Sequence, residues 1–229
     1  DFVKEILSMA RERDIVVEYV LFDYCSLADG AGELCWTRHP FSALHNNGGA
    51  LPGGKGKPDI YAFFDYSNLD LFVEPLRPKW PWQQRNQWYQ QAYVKHTVDE
   101  LTSFPNLYWE IMNEQGWKRI EANGPEWTAH WLAFLDKHDP NRHLRAINAA
   151  DVYDAMPGLD IVCEHVIPFF AKQLTTPELV VEIVHSNLRF GKPLVCDETG
   201  WFPPPSSTED RIWRRCTEEQ LANERRAFW

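Results

Sequence analysis

Apolar positions fall at helical spacing at the start of the chain, where Phe2, Ile6 and Met9 predict a helix over residues 1–13. A continuous apolar run rich in Val and Ile then spans Asp14 to Phe22 and predicts a buried strand. Helical spacing returns over 84–103 through Trp88, Ala92, Val98 and Leu101, and the run Asn106–Asn113 predicts the next strand. Gly124-Pro125-Glu126 opens a further helix with Pro in its first turn. Trp127, Trp131, Phe134, Leu135 and His138 mark its inner face, and Asp139-Pro140 stops it. Short apolar runs at Leu144–Asn148 and Leu159–Val166 predict two more strands. Thr176-Pro177-Glu178 starts a helix that Gly191 ends, and Pro193–Asp197 is the last predicted strand. Ser207-Thr-Glu-Asp210 has the form of a capping box before a final helical region.

Five buried strands separated by helices or loops predict an α/β chain with a parallel sheet. A doubly wound sheet and a (β/α)8 TIM barrel both produce this order. No glycine-rich phosphate loop follows a strand, which weakens the nucleotide-binding form. Charged residues end several strands, which favours the barrel, whose active site lies at that face. Five units are fewer than eight. The chain also begins and ends inside helical pattern, so it reads as one catalytic barrel domain over 1–229, incomplete at both ends.

The 229 residues suffice for one sizeable core, and the 44% hydrophobic content is that of a globular protein. A net charge of −10 argues against a nucleic-acid partner and against polybasic membrane binding. No signal peptide, membrane span or lipidation motif is visible, and a monomer is expected. Aromatic residues make up 14% with eleven Trp, an excess that suits surfaces on which sugar rings pack as well as a core. Of the five Cys, none has metal-ligand spacing. Cys163 and Cys196 read as reduced core residues, while Cys25 and Cys35 are close enough in one loop to pair.

Two of the apolar runs end in the same way. Tyr108-Trp-Glu-Ile-Met-Asn-Glu114 and Pro193-Leu-Val-Cys-Asp-Glu198 each deliver a carboxylate at the C-terminal end of a strand. Two carboxylates at the same end of parallel strands are what glycoside hydrolysis requires: one to protonate the leaving oxygen, one to attack or stabilise the sugar carbon. Close carboxyl groups cannot both ionise freely, so one is held as an acid while the other stays anionic.

These two segments resemble the fourth- and seventh-strand motifs of clan A glycoside hydrolases, which include the family 5 cellulase-like enzymes. The resemblance covers most of the chain as strands three to seven of the barrel. It implies that Glu114 is the acid/base, that Glu198 is the nucleophile of a retaining mechanism, and that Asn113 bonds the sugar 2-hydroxyl. It implies a β-linked oligo- or polysaccharide substrate and no cofactor.

Further candidates for substrate contact follow the other strands. His165 ends the sixth strand, Asn148 and Asp151 follow the fifth, and Asp23 and Tyr24 end the third. A long irregular stretch at about 24–83 carries turn punctuation and would form an active-site loop, with Trp36, His39 and Asn47 as subsite residues. Trp201, just past the second Glu, could stack on a sugar. Two rival readings stand beside this one: an inactive carbohydrate-binding barrel, and a metal-dependent barrel hydrolase using Asp23, His39, His45, Glu114, His165 and Glu198. The strand ends supply isolated ligands rather than close pairs, so no metal is expected. Extracellular or periplasmic location is slightly favoured.

Overall fold

The computed structural model describes residues 2–24, 63–64, 82–115, 124–149, 151–166 and 177–199. The chain divides into two compact units, residues 1–160 and 161–229. The first holds α1 (Phe2–Arg11), β1 (Val17–Asp23), α2 (Trp82–Leu101), β2 (Leu107–Asn113), α3 (Gly124–His138), β3 (Arg145–Ala146) and α4 (Asp151–Asp154). The second holds β4 (Val162–Val166), α5 (Pro177–Asn187), a 3-10 turn (Leu188–Phe190) and β5 (Leu194–Thr199). The predicted helix after Ser207 lies outside the described residues.

All pairs among the described strands are parallel. The first unit has a sheet in the order β1-β2-β3, and the second pairs β4 with β5. The expected mixture of helices and parallel strands is therefore present, but the described strands do not close into a barrel. β2 is central, and six of its seven residues are buried, which is why its sequence is a near-continuous apolar run rather than an alternating one.

The core of the first unit is aromatic. Phe22 of β1 lies 5.2 Å from Trp127, 5.3 Å from Trp131 and 5.7 Å from Phe63, ring centre to ring centre. Phe63 and Phe64 are each 1% exposed, so the long stretch between β1 and α2 is pinned to the core at these two residues. Buried amides assist. Gln90 donates to Phe63 O at 3.0 Å and to Asn86 Oδ1 at 3.2 Å, and accepts from Trp127 Nε1 at 3.1 Å.

Two helices differ from the expectation of a single apolar stripe. In α1 the stripe Phe2, Ile6 and Met9 is exposed, while Leu7 and Ala10 are buried with Val3 packed beside them. The helix has two apolar stripes a residue apart, and the core takes the second. In α2 the second and third turns bury Asn86, Gln87, Gln90 and Gln91. Asn86, Gln90 and Gln91 find partners in Phe63, Trp127 and His130, so burial does not strand their amides.

A polar cluster holds the end of the sheet where β2 and β3 begin. Asp139 Oδ2 accepts from Trp109 Nε1 at 3.0 Å, from His143 N at 2.9 Å and from His143 Nδ1 at 2.9 Å. Asp139 Oδ1 accepts from Thr102 Oγ1 at 2.6 Å and from Asn141 N at 3.2 Å. His143 Nε2 lies 2.9 Å from Phe104 O. Both ring nitrogens thus face acceptors, an arrangement that only the imidazolium satisfies. Burial works against the charge on both side chains. Together the other interactions outweigh it: hydrogen bonds from His143, Thr102 and Trp109 hold the Asp139 carboxyl well below the usual carboxylate range, and the hydrogen bond and charge of Asp139, with Phe104 O, raise His143.

In the second unit, α5 and its 3-10 turn end at Gly191, which adopts φ 64° and donates its N–H to Leu188 O at 3.1 Å. That left-handed cap is the reason for glycine there. Cys163 and Cys196 are free thiols; Cys163 is a core residue as expected, whereas Cys196 is only half-buried, and Cys25 and Cys35 lie outside the described residues.

Candidate functional site

In the first unit the C-terminal strand ends gather Asp23, Asn113, Glu114, Gln115 and Asn148. β1 and β2 run in register to their last pair, Asp23 opposite Asn113, and Asn113 Nδ2 donates to Asp23 Oδ1 at 3.4 Å. Tyr24 N continues the ladder to Asn113 O at 3.0 Å.

The β2–β3 pairing does not stay in register. Glu110 lies opposite Ala146, and the next bridge joins Gln115 to Ala149. The chain advances five positions on one side (110 to 115) and three on the other (146 to 149). Two extra residues on the β2 side form a bulge, a feature that re-aims side chains at strand ends. Glu114 sits in it with φ 56°, a left-handed conformation that costs a non-glycine residue about 1–2 kcal/mol. Asn148, 4% exposed, holds this backbone from across the sheet. Its Oδ1 accepts from Glu114 N at 3.2 Å, its carbonyl accepts from Gln115 N at 2.8 Å, and its own N–H donates to Met112 O at 3.2 Å. Asn148 thus holds the backbone of the Glu114 bulge.

In the second unit, β4 and β5 also slip. Val162 and Cys163 oppose Leu194 and Val195, but His165 opposes Glu198. Two steps on β4 face three on β5, so β5 carries one extra residue just before Glu198. The slip makes His165 and Glu198 register partners. Asn187 Nδ2 donates to Glu164 Oε1 at 3.2 Å, which ties the end of α5 to β4.

Both predicted glutamates thus lie at strand ends as expected, Glu114 within a bulge and Glu198 just after one, and apolar periodicity reveals neither bulge. Asn113 and Asn148 meet Glu114's strand end, and His165 meets that of Glu198. Trp36, His39, His45, Asn47 and Trp201 lie outside the described residues. Among the described residues, no group of three or more His, Cys, Asp or Glu side chains is arranged to hold a metal ion. Nor is any described helix long and apolar enough to cross a membrane.

No family model matches the chain, and no curated protein matches it. Two solved structures are similar. One is an endo-β-1,4-mannanase from Thermotoga petrophila, at 17% identity and a TM-score of 0.50, over 85% of this chain and 44% of the mannanase. The other is a candidate glycoside hydrolase from Bacteroides vulgatus, at 23% identity and a TM-score of 0.39, over 57% of this chain and 24% of that protein. The likeness to the mannanase is one of fold. This chain spans less than half the length of either protein.

Sequence reasoning missed Gln115. It follows Glu114 directly, is 2% exposed, and spends its side chain on hydrogen bonds to α3 and α4. A lone Gln after an apolar run carries no periodic signal, so only the contacts reveal it.

Proposed function

We propose that this chain belongs to a retaining glycoside hydrolase that cleaves a β-linked oligo- or polysaccharide. In this reading residues 1–229 are part of one (β/α)8 catalytic domain, and the five strands correspond to its strands three to seven. Glu114 is the acid/base and Glu198 the nucleophile. The Glu198 carboxylate attacks the anomeric carbon as Glu114 gives its proton to the glycosidic oxygen, and the leaving sugar departs as an alcohol. Water then attacks the anomeric carbon of the glycosyl ester while Glu114 takes its proton, and Glu198 is released as a carboxylate. Asn113 and His165 bond the sugar or the carboxylates, and Trp36, His39, Asn47 and Trp201 belong to the substrate-binding surface.

The observation that carries this reading is the backbone at Glu114. A glutamate just past the end of a parallel strand, in a left-handed conformation held by Asn148, is a strained placement. Strain of that kind is kept where a side chain has work to do. The register shift before Glu198, which pairs it with His165, is a second irregularity at a strand end that carries a glutamate. The likeness in fold to an endo-β-1,4-mannanase agrees and puts β-mannan among the polysaccharides to test.

The test is turnover with chemical rescue. The protein is assayed on a panel of β-linked polysaccharides and activated aryl β-glycosides. Glu198→Ala should abolish turnover, and azide should restore part of it as the glycosyl azide of inverted configuration. Glu114→Ala with azide should give the azide of retained configuration. A wild-type protein that binds the oligosaccharides but hydrolyses none of them would replace this reading with a carbohydrate-binding barrel.

A further inference from the structure

Immediately beyond Glu114 the chain is locked by a buried amide. Gln115 Nε2 donates to Gly124 O at 3.3 Å and to Tyr153 OH at 3.3 Å. Thr128 Oγ1 donates to Gly124 O at 3.0 Å and lies 3.3 Å from Gln115 Oε1. Thr128 is fully buried and Tyr153 is 1% exposed. With its N–H on Asn148 O, Gln115 joins the β2 end to β3, to the first turn of α3 and to α4.

The fit is close. A Cβ on Gly124 would stand 2.3 Å from Tyr153 OH and 3.1 Å from Gln115 Nε2, so the first residue of α3 admits only glycine without displacing the amide's partners. A buried side chain with this many fixed partners cannot rotate without leaving one of them unpaired, and that penalty holds it still. Glu114 therefore lies between two anchors: Asn148 Oδ1 on its own N–H and the Gln115 clamp on the next residue. Loss of the second would free the left-handed residue to relax.

We propose that Gln115 is a positioning residue for Glu114, acting through a clamp formed with Gly124, Thr128 and Tyr153. The proposal rests on the reading of Glu114 as the acid/base. The clamp fixes the strand end so that the Glu114 carboxyl is presented to the glycosidic oxygen. It does not touch substrate. A displacement of about 1 Å in such a group costs on the order of 100-fold in rate.

The discriminating experiment is a leaving-group series. Wild type, Gln115→Leu and Tyr153→Phe are assayed on aryl β-glycosides from 2,4-dinitrophenyl to phenyl, with thermal melts to confirm folding. A poor leaving group needs the proton from Glu114, and 2,4-dinitrophenolate does not. The expected result is a fall in kcat/KM of about 10- to 100-fold for the phenyl glycoside and less than about 3-fold for the dinitrophenyl glycoside. For the dinitrophenyl glycoside kcat and KM should fall together, because Glu114 is also the base that releases the glycosyl ester. Tyr153→Phe removes a single hydroxyl, so it carries the test if Gln115→Leu does not fold. A loss of equal factor for every leaving group, or no loss, overturns the clamp while leaving the glycosidase reading intact. A wild type inactive on the whole series overturns the glycosidase reading, and the clamp's catalytic role with it.

Discussion

Replacing Asp139 by Asn should cost the first unit a large share of its stability, and should do so in a pH-dependent way. The carboxylate accepts five hydrogen bonds, three at Oδ2 and two at Oδ1, and its side chain is only 2% exposed. An amide offers one acceptor oxygen. With that oxygen at the Oδ2 position, the NH2 group confronts the Asn141 N–H. The buried His143 loses its counter-charge, and deprotonation then sets a ring lone pair against Phe104 O or against the oxygen of the new amide. Removing one partner of a buried ion pair costs about 3–5 kcal/mol, against a typical total of about 5–15 kcal/mol. The sign of the pH dependence follows from the two shifts. His143 is raised, so its contribution is complete below its ordinary value of about 6.5 and is lost as pH rises through the raised value. Asp139 is lowered, so its contribution is complete above about 3.9 and is lost as pH falls through the depressed value. The pair is therefore worth most between about pH 4 and 6.5. Urea unfolding followed by Trp fluorescence at pH 6 and pH 9 measures both effects. The deficit of Asp139→Asn should be about 3–5 kcal/mol at pH 6 and smaller at pH 9. A deficit under about 1 kcal/mol at pH 6, or one that does not shrink at pH 9, would refute the imidazolium–carboxylate reading.

Other substitutions probe the remaining features. Glu114→Gly should relieve the left-handed strain and leave the protein as stable or up to about 1 kcal/mol more so, while ending turnover; a clear loss of stability would show that the side chain supports the fold. Gly191→Ala has open space around it, so thermal melts should register only the left-handed penalty of about 1–2 kcal/mol. Phe63→Ala should cost about 3–5 kcal/mol in urea unfolding, because the ring is 1% exposed and packed on Phe22 and Trp127.

The sequence made the elements legible where one kind of periodicity governed a whole segment. β2 is buried on both faces, so its apolar run announced a strand, and α3 showed its inner face through Trp127, Trp131, Phe134 and Leu135. Legibility failed where polar atoms are satisfied in the interior. The amide row of α2 looks solvent-facing until Phe63 and Trp127 are seen beside it, and Gln115 looks incidental until Tyr153 meets it. Four-residue α4 is too short to display a period. The ends of β2 and β5 were foreseen as carriers of carboxylates. Their bulges were not, because a slip of register is a property of two strands and neither sequence contains it.

Those slips separate two tasks that share one strand. Regular pairing of β2 with β1 runs to Asp23–Asn113, and that of β4 with β5 runs to Cys163–Val195, so the apolar interior, through Met112 and Cys163, is secured before the chain reaches either glutamate. Beyond that point, adding or removing a residue would re-aim the strand end without turning any apolar core side chain outward. The residues just past Asn113 and Val195 are thus an adjustable nib on a fixed pen. Single-residue insertions and deletions should be tolerated there and nowhere upstream, a route by which the ends of such strands can vary in length while the sheet beneath stays the same.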